Sequence, residues 1–325
     1  MRVTGLRARM VIVIALALAL QGVAAPAFAY EWTRDLKAGD TGRDVRALNV
    51  RLSGWYPSND QQWMKINQTF GAETTAALKA FQAHYGLTVD GLAGAETFET
   101  LNALEDENGS TIHFDYKEFK QNENSRCSAK ANAYSDTFGG GMVAPRRVRK
   151  FVRRLMWRLE AVRAKGGDNP IGINSGFRSV AYNDCIGGAR LSQHMYGTAA
   201  DNRMADTGNR KQRNLARKSQ FHGIGCYATL SHNHFDTRID NRALKETRYW
   251  WWPEQDARGR DLDYAGKPCW GEKKRTTSTA RYTTTAALFD AVRAALPGAG
   301  SLMPSRAEIE AFEDAGEAAD LHGAD

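Results

Sequence analysis

The chain has 325 residues, 25% of them charged, and a formal net charge of +7, a globular composition long enough for two compact domains of ~100 to 200 residues each. Residues 1–29 carry three arginines and no acid, so without them the charge falls to +4. A balance that mild argues against nucleic acid as a partner and suits anionic polymers of a cell envelope.

Residues 1–29 read as a secretory signal peptide. Arg2, Arg7 and Arg9 form a positive start, Met10 to Leu20 is an unbroken apolar run, and Ala27-Phe28-Ala29 offers a small-x-small cleavage pattern before Tyr30. The run is shorter than the ~20 residues that span a bilayer, and no twin-arginine pair is present. The mature chain is therefore expected outside the cytoplasm, as a secreted, periplasmic or cell-wall protein, with no transmembrane segment.

Next comes a pattern of three helices. Val45, Leu48 and Leu52 fall on one face of a helix over residues 42–52, and Ala77, Leu78, Phe81 and Tyr85 on one face of a second over 74–85, which stops at Gly86. Gly71-Ala72-Glu73-Thr74 recurs as Gly94-Ala95-Glu96-Thr97, the mark of one supersecondary unit used twice. Leu36-Lys37-Ala38-Gly39-Asp40-Thr41-Gly42, Asn67-Gln68-Thr69-Phe70-Gly71, Phe81-Gln82 and Leu87-Thr88-Val89-Asp90-Gly91 resemble the peptidoglycan-binding domain type 1 family. That resemblance implies a module that holds peptidoglycan, and it names no contact residues.

Glu105 to Ser110 is polar and reads as a linker. A long helix follows, with Val148, Phe151, Val152, Leu155, Leu159 and Val162 at helical spacing and seven basic residues crowding the rest. It is either a basic helix that grips anions or, the favoured reading, a core helix with a solvated arginine face. Ile171 to Ile173 reads as a strand running into Asn174-Ser175-Gly176-Phe177-Arg178-Ser179, where Arg178 can present its fork of donors to a carboxylate or an oxyanion.

His194, Asp201, His232 and His234 form a richer set of zinc-type ligands than a core needs. Neutral imidazoles and a carboxylate suit zinc, and a catalytic zinc takes three protein ligands and leaves one position to water. On an extended strand His232 and His234 would share a face. His84, His113, His222 and His322 read as ordinary polar residues. Cys127, Cys185, Cys226 and Cys269 are an even set with no C-x-x-C pair, which favours two disulfides; Cys127 with Cys185 and Cys226 with Cys269 is the preferred of three connectivities.

Gly176-Phe177-Arg178-Ser179, Ser192-x-His194-Met195-Tyr196-Gly197-x-Ala199-Ala200-Asp201 and His232-x-His234 resemble the zinc D-Ala-D-Ala carboxypeptidases of the secreted actinobacterial type, a group that includes D-Ala-D-Ala dipeptidases and hedgehog-like zinc proteins. The resemblance implies one Zn²⁺ per chain on His194, Asp201 and His234, with His232 as base or electrostatic partner and Arg178 and Ser192 on the substrate side. Where the dipeptidase branch carries a glutamate three residues before its last histidine, this chain has Ser231. No Gly-x-Ser-x-Gly elbow supports a serine nucleophile.

The expected architecture is α+β: a signal peptide at 1–29, a three-helix module with its linker at 30–107, a zinc peptidase domain at 108–275 with a small antiparallel sheet flanked by helices, and a partly disordered extension at 276–325. The expected function is that of a monomeric D,D-carboxypeptidase acting on peptidoglycan. The alternatives are a D,D-endopeptidase cutting cross-links and a non-catalytic wall-binding protein with structural zinc.

Overall fold

The computed structural model describes residues 30–57, 63–120, 127, 138–227, 230–238 and 250–253. The expected signal peptide, the extension from 276 onward, Cys269 and His322 lie outside the described residues.

The amino-terminal part is built on α1 (Arg43–Leu52), α2 (Ala72–Tyr85) and α3 (Ala95–Ala103). Val45, Leu48 and Leu52 are fully buried against Leu78, Phe81 and Leu101, so the helical spacing read from the sequence is the packing face. The repeated Gly-Ala-Glu-Thr starts α2 and α3 alike, with Gly71 and Gly94 at the two helix caps. Its threonine is buried in both copies, Thr74 donating to Asn49 Oδ1 at 2.8 Å. Helix α2 begins two residues earlier than the apolar spacing suggested, because that spacing reports the buried face and not the cap.

The second part carries α4 (Pro145–Lys165), α5 (Val180–Cys185) and α6 (Asn209–Arg217) around a five-stranded sheet. The strands are β1 (Ile171–Ser175), β2 (Ala199–Met204), β3 (Gly223–Cys226), β4 (Asn233–Asp236) and β5 (Trp250–Pro253), in the order β1-β2-β4-β3-β5. Four strands pair antiparallel, as expected, and β5 adds a parallel edge beside β3. Ile171, Ile173, Ala200, Met204 and Phe235 point to one core that α4 fills with Val152, Leu155 and Leu159. Alternation then sends Asp201 and His234 to the opposite face.

Helix α4 departs from the expected solvated arginine face. While one side enters the sheet core, Trp157, Ala161 and Ala164 enter the core of the three-helix module. Arg154 and Arg158 are buried, and Arg153 pairs with Glu105. Glu105 also takes the buried Arg51, with Nε at 3.1 Å, so the polar stretch read as a linker is packed down at its first residue. Burial pushes Arg51 down to about 10, with the neighbouring Glu105 opposing that shift. Two further bonds cross the same junction, Lys165 Nζ to Gly54 O at 2.7 Å and Met64 N to Gln220 Oε1 at 3.0 Å.

Cys127 and Cys185 form the expected disulfide, their Cα atoms 5.7 Å apart. Cys226 is also disulfide-bonded. No described helix is long and apolar enough to cross a membrane.

Candidate metal centre

Three segments meet at the site. The first is the exit of β1, where the register shifts between Ile173 and Ser175, so that Ser175, and not Asn174, stands opposite Asp201; such bulges re-aim side chains. The second is a 3-10 turn, Gln193–Tyr196, capped by Ser192, whose Oγ accepts the His194 amide at 3.4 Å. The third is the β2–β4 pair, in which Asp201 and His234 are direct cross-strand partners.

The first two segments are stitched together by the backbone. Arg178 N donates to His194 O at 3.1 Å, and Phe177 N to Phe119 O at 2.7 Å. Gly176 is required there: a Cβ on it would lie 2.5 Å from Phe119 Cα, which no side chain tolerates. Its carbonyl accepts from His194 Nδ1 at 2.6 Å. A carbonyl can only accept, so that nitrogen carries the proton and the Nε2 lone pair is turned toward Asp201 and His234.

His194 Nε2 is 3.1 Å from His234 Nδ1 and 3.3 Å from Asp201 Oδ1, and His234 Nδ1 is 2.9 Å from Asp201 Oδ1. A tetrahedral zinc with bonds of about 2.0 to 2.1 Å sets its ligand atoms about 3.3 to 3.4 Å apart. The triangle therefore fits the ion with little movement. Among the described residues these three form the one such group of His, Cys, Asp and Glu.

Each of the three is held from behind. Asp201 Oδ2 accepts from Arg178 NH2 at 2.6 Å, and Arg178 Nε donates to Ser175 Oγ at 2.9 Å. His234 Nε2 lies 3.2 Å from Asp236 Oδ2, and Arg238 clamps that carboxylate through Nε at 2.9 Å and NH2 at 2.6 Å. Such outer partners fix the orientation of metal-binding imidazoles.

The electrostatics follow from burial and charge. Burial, helped by Arg178, pushes His194 down to about 4, so its imidazole is neutral. Burial would raise the Asp201 carboxyl, but His194 and His234 outweigh it and hold it well below the ordinary carboxylate range. Burial opposes a charge on His234 too, yet bonds to Asp201 and Asp236 raise it above its ordinary value. Two carboxylates thus enclose a position that attracts positive charge, and a metal held there would take the place of a proton on His234.

The structure brings together His194, Asp201, His234 and Arg178. It corrects one expectation. His232 is not on the strand, because β4 begins at Asn233; it precedes the strand, half-buried, its ring edge-on to Tyr227 with centroids 5.7 Å apart, and it is outside the three-residue group. Arg178 gives Asp201, the carboxylate of the set, one donor, NH2, while its Nε goes to Ser175. Asp236 and Arg238 were missed by sequence reasoning. The signal was present: the alternation that pairs position 232 with 234 also places Asp236 on the His234 face.

Comparison with known proteins agrees with this arrangement. Residues 113–236 match the family described as "Peptidase M15", and residues 41–101 the family described as "Putative peptidoglycan binding domain". The segment that matches the peptidase family thus follows the one that matches the peptidoglycan-binding family. A zinc D-Ala-D-Ala carboxypeptidase of Streptomyces albus G is 40% identical over 172 residues, 53% of this chain and 62% of that protein. A spore cortex-lytic enzyme of Bacillus cereus is 41% identical over 68 residues, 20% of this chain and 24% of that protein. Among solved structures, the SleB N-terminal domain shares 38% identity, covering 22% of this chain and 93% of that one, with a TM-score of 0.20. The chain therefore spans less than two thirds of the curated relatives it matches.

Proposed function

We propose that the chain is a secreted zinc metallopeptidase that hydrolyses peptidoglycan stem peptides at the D-Ala-D-Ala bond, with residues 41–101 holding the wall. The observation that carries this reading is the convergence of His194 Nε2, Asp201 Oδ1 and His234 Nδ1 within 2.9 to 3.3 Å. The similarity to the Streptomyces carboxypeptidase supports the choice of bond.

One Zn²⁺ per chain fits the three ligands, and it supplies Lewis acidity that activates water and polarises a peptide carbonyl. His194 and His234 offer neutral lone pairs once His234 has given up its proton, and Asp201 offsets part of the ion's charge. Arg178 holds Asp201 Oδ2, leaving Oδ1 turned to the two imidazoles. His232, outside the ligand group, carries the proton from water to the leaving amine on a ring nitrogen. A purely structural zinc site is closed by a fourth protein ligand, and three ligands among the described residues favour catalysis. The chain works as a monomer outside the cytoplasm.

Digestion of purified muropeptides by the zinc-loaded protein, followed by mass spectrometry, tests the proposal. Release of free D-Ala that stops on chelation is expected. Conversion of cross-linked dimers to monomers would move the assignment to an endopeptidase, and no metal-dependent cleavage would overturn it.

A further inference from the structure

We propose that Gln212, on α6 behind the sheet, is a positioning residue for the metal centre: it ties Asn202 to Asn233 and so fixes the register in which Asp201 faces His234. The inference rests on the reading of His194, Asp201 and His234 as zinc ligands, and is independent of which bond the enzyme cuts.

Asn202 and Asn233 are register partners directly beside the pair Asp201 and His234. Because side chains alternate, the asparagines project from the face opposite the ligands, toward α6. Gln212 Nε2 donates to Asn202 Oδ1 at 2.6 Å, and Gln212 Oε1 accepts from Asn233 Nδ2 at 2.9 Å. One amide therefore bridges the two ligand strands through both of its ends. Arg213 NH1 adds a bond to Asn233 Oδ1 at 3.0 Å. All four side chains are buried, at 0 or 1% exposure, where water cannot substitute for a lost partner.

Such a bridge is needed here because β4 has only four residues. A slip of one residue would turn His234 to the core face and bring Asn233 or Phe235 to the metal. An apolar core tolerates that slip far better than a chain of directional amide bonds does. Asn209 adds a clamp where the chain enters β4. Its Nδ2 donates to Ser231 O at 3.0 Å, and its carbonyl accepts from Asn233 Nδ2 at 3.3 Å.

The test uses the full chain and three variants. Gln212→Met keeps the volume and removes both bonds; Asn209→Ala, at a half-buried position, removes the clamp on Ser231. Gln82→Leu is the control, a buried glutamine that bonds Asp90 and Leu92 in the helical module. Zinc affinity is measured by competition with a chelating indicator, beside thermal unfolding of the metal-free proteins. Gln212→Met, which acts one step behind the ligands, is expected to lose roughly 10-fold in zinc affinity, the low end of what direct outer partners of metal ligands cost, and Asn209→Ala a smaller part of that. Gln82→Leu should melt lower and bind zinc as the wild type does. Wild-type affinity in Gln212→Met, or in Asn209→Ala should the former not fold, overturns the inference, as does an equal loss in Gln82→Leu. A wild-type chain that binds no zinc overturns the metal reading itself.

Discussion

The guanidinium carbon of Arg51, on the first helix of the module, lies 5.6 Å from the ring centre of Trp157, on the long helix of the second part. Both side chains are buried, and Arg51 also stands over the rings of Tyr30 and Trp32 at 5.1 and 5.3 Å. Together with the Arg51–Glu105–Arg153 ion pairs, this makes the junction a piece of core and not a flexible hinge. On the proposed function, a module joined in this way would hold the candidate metal centre at a fixed offset from the wall polymer.

Trp157→Ala should therefore damage both parts at once. Truncation of a buried tryptophan costs about 3 to 5 kcal/mol, and the cavity opens against α1 and α4 together. Equilibrium unfolding in urea should show one transition, shifted to lower denaturant when followed by a probe in either part. Two separate transitions, with only the first shifted, would mean that the parts are energetically independent.

The helices were legible in the sequence because their signal is local. Val45, Leu48 and Leu52, or Val148, Val152, Leu155 and Leu159, repeat at helical spacing whatever they pack against. The cluster of His194, Asp201 and His234 was legible because its residue types and small neighbours suit a metal. The second buried face of α4 was not. Trp157, Ala161 and Ala164 become core only when a module some hundred residues earlier folds onto them, and a basic sequence suggests water in their place. His232 was misplaced for a related reason: strand alternation is sound, but the residue where β4 begins is set by pairing with β2. The amide bridge at Gln212 depends on that same pairing and has no local signature.

The division of roles between the histidines is open to direct test. His194→Ala removes a ligand and should abolish both zinc binding and turnover. His232→Ala lies outside the ligand group and should keep zinc stoichiometry while losing about 10² to 10⁴ in rate, the usual worth of a general base. Metal content by elemental analysis, measured beside D-Ala release, separates the two. Equal zinc loss in both variants would make His232 a ligand.

Gly223 offers a probe of the support behind His234. A Cβ at this position would collide with both carboxylate oxygens of Asp236, the group that faces His234 Nε2 and is clamped by Arg238. Gly223→Ala should push Asp236 away without altering any ligand. Zinc affinity is then expected to fall roughly 10- to 100-fold. The same affinity as wild type in an indicator competition would show that Asp236 does not orient the imidazole.

Lys165 at the junction makes stability depend on pH. Burial, reinforced by Lys218, pushes its ammonium down from 10.5 to about 7, although Gly54 O, Lys218 O and Ser219 Oγ accept from it. Below pH 7 both folded and unfolded chains carry the proton, and the cost of burying the charge is fully present. Between about pH 7 and 10.5 the unfolded chain keeps a proton that the folded one sheds, so stability rises with pH. Burial raises Tyr85 above its ordinary value, which gives an opposite slope once unfolded tyrosine ionises near pH 10, and the raised His234 gives an opposite slope just above pH 6.5, so the contribution of Lys165 is read from the difference between wild type and Lys165→Met up to about pH 9.5. From pH 6.5 to 9.5 the urea midpoint of the wild type should rise relative to that of Lys165→Met. An identical slope in the two proteins would show that Lys165 stays protonated throughout, its charge carried by the three oxygens around it.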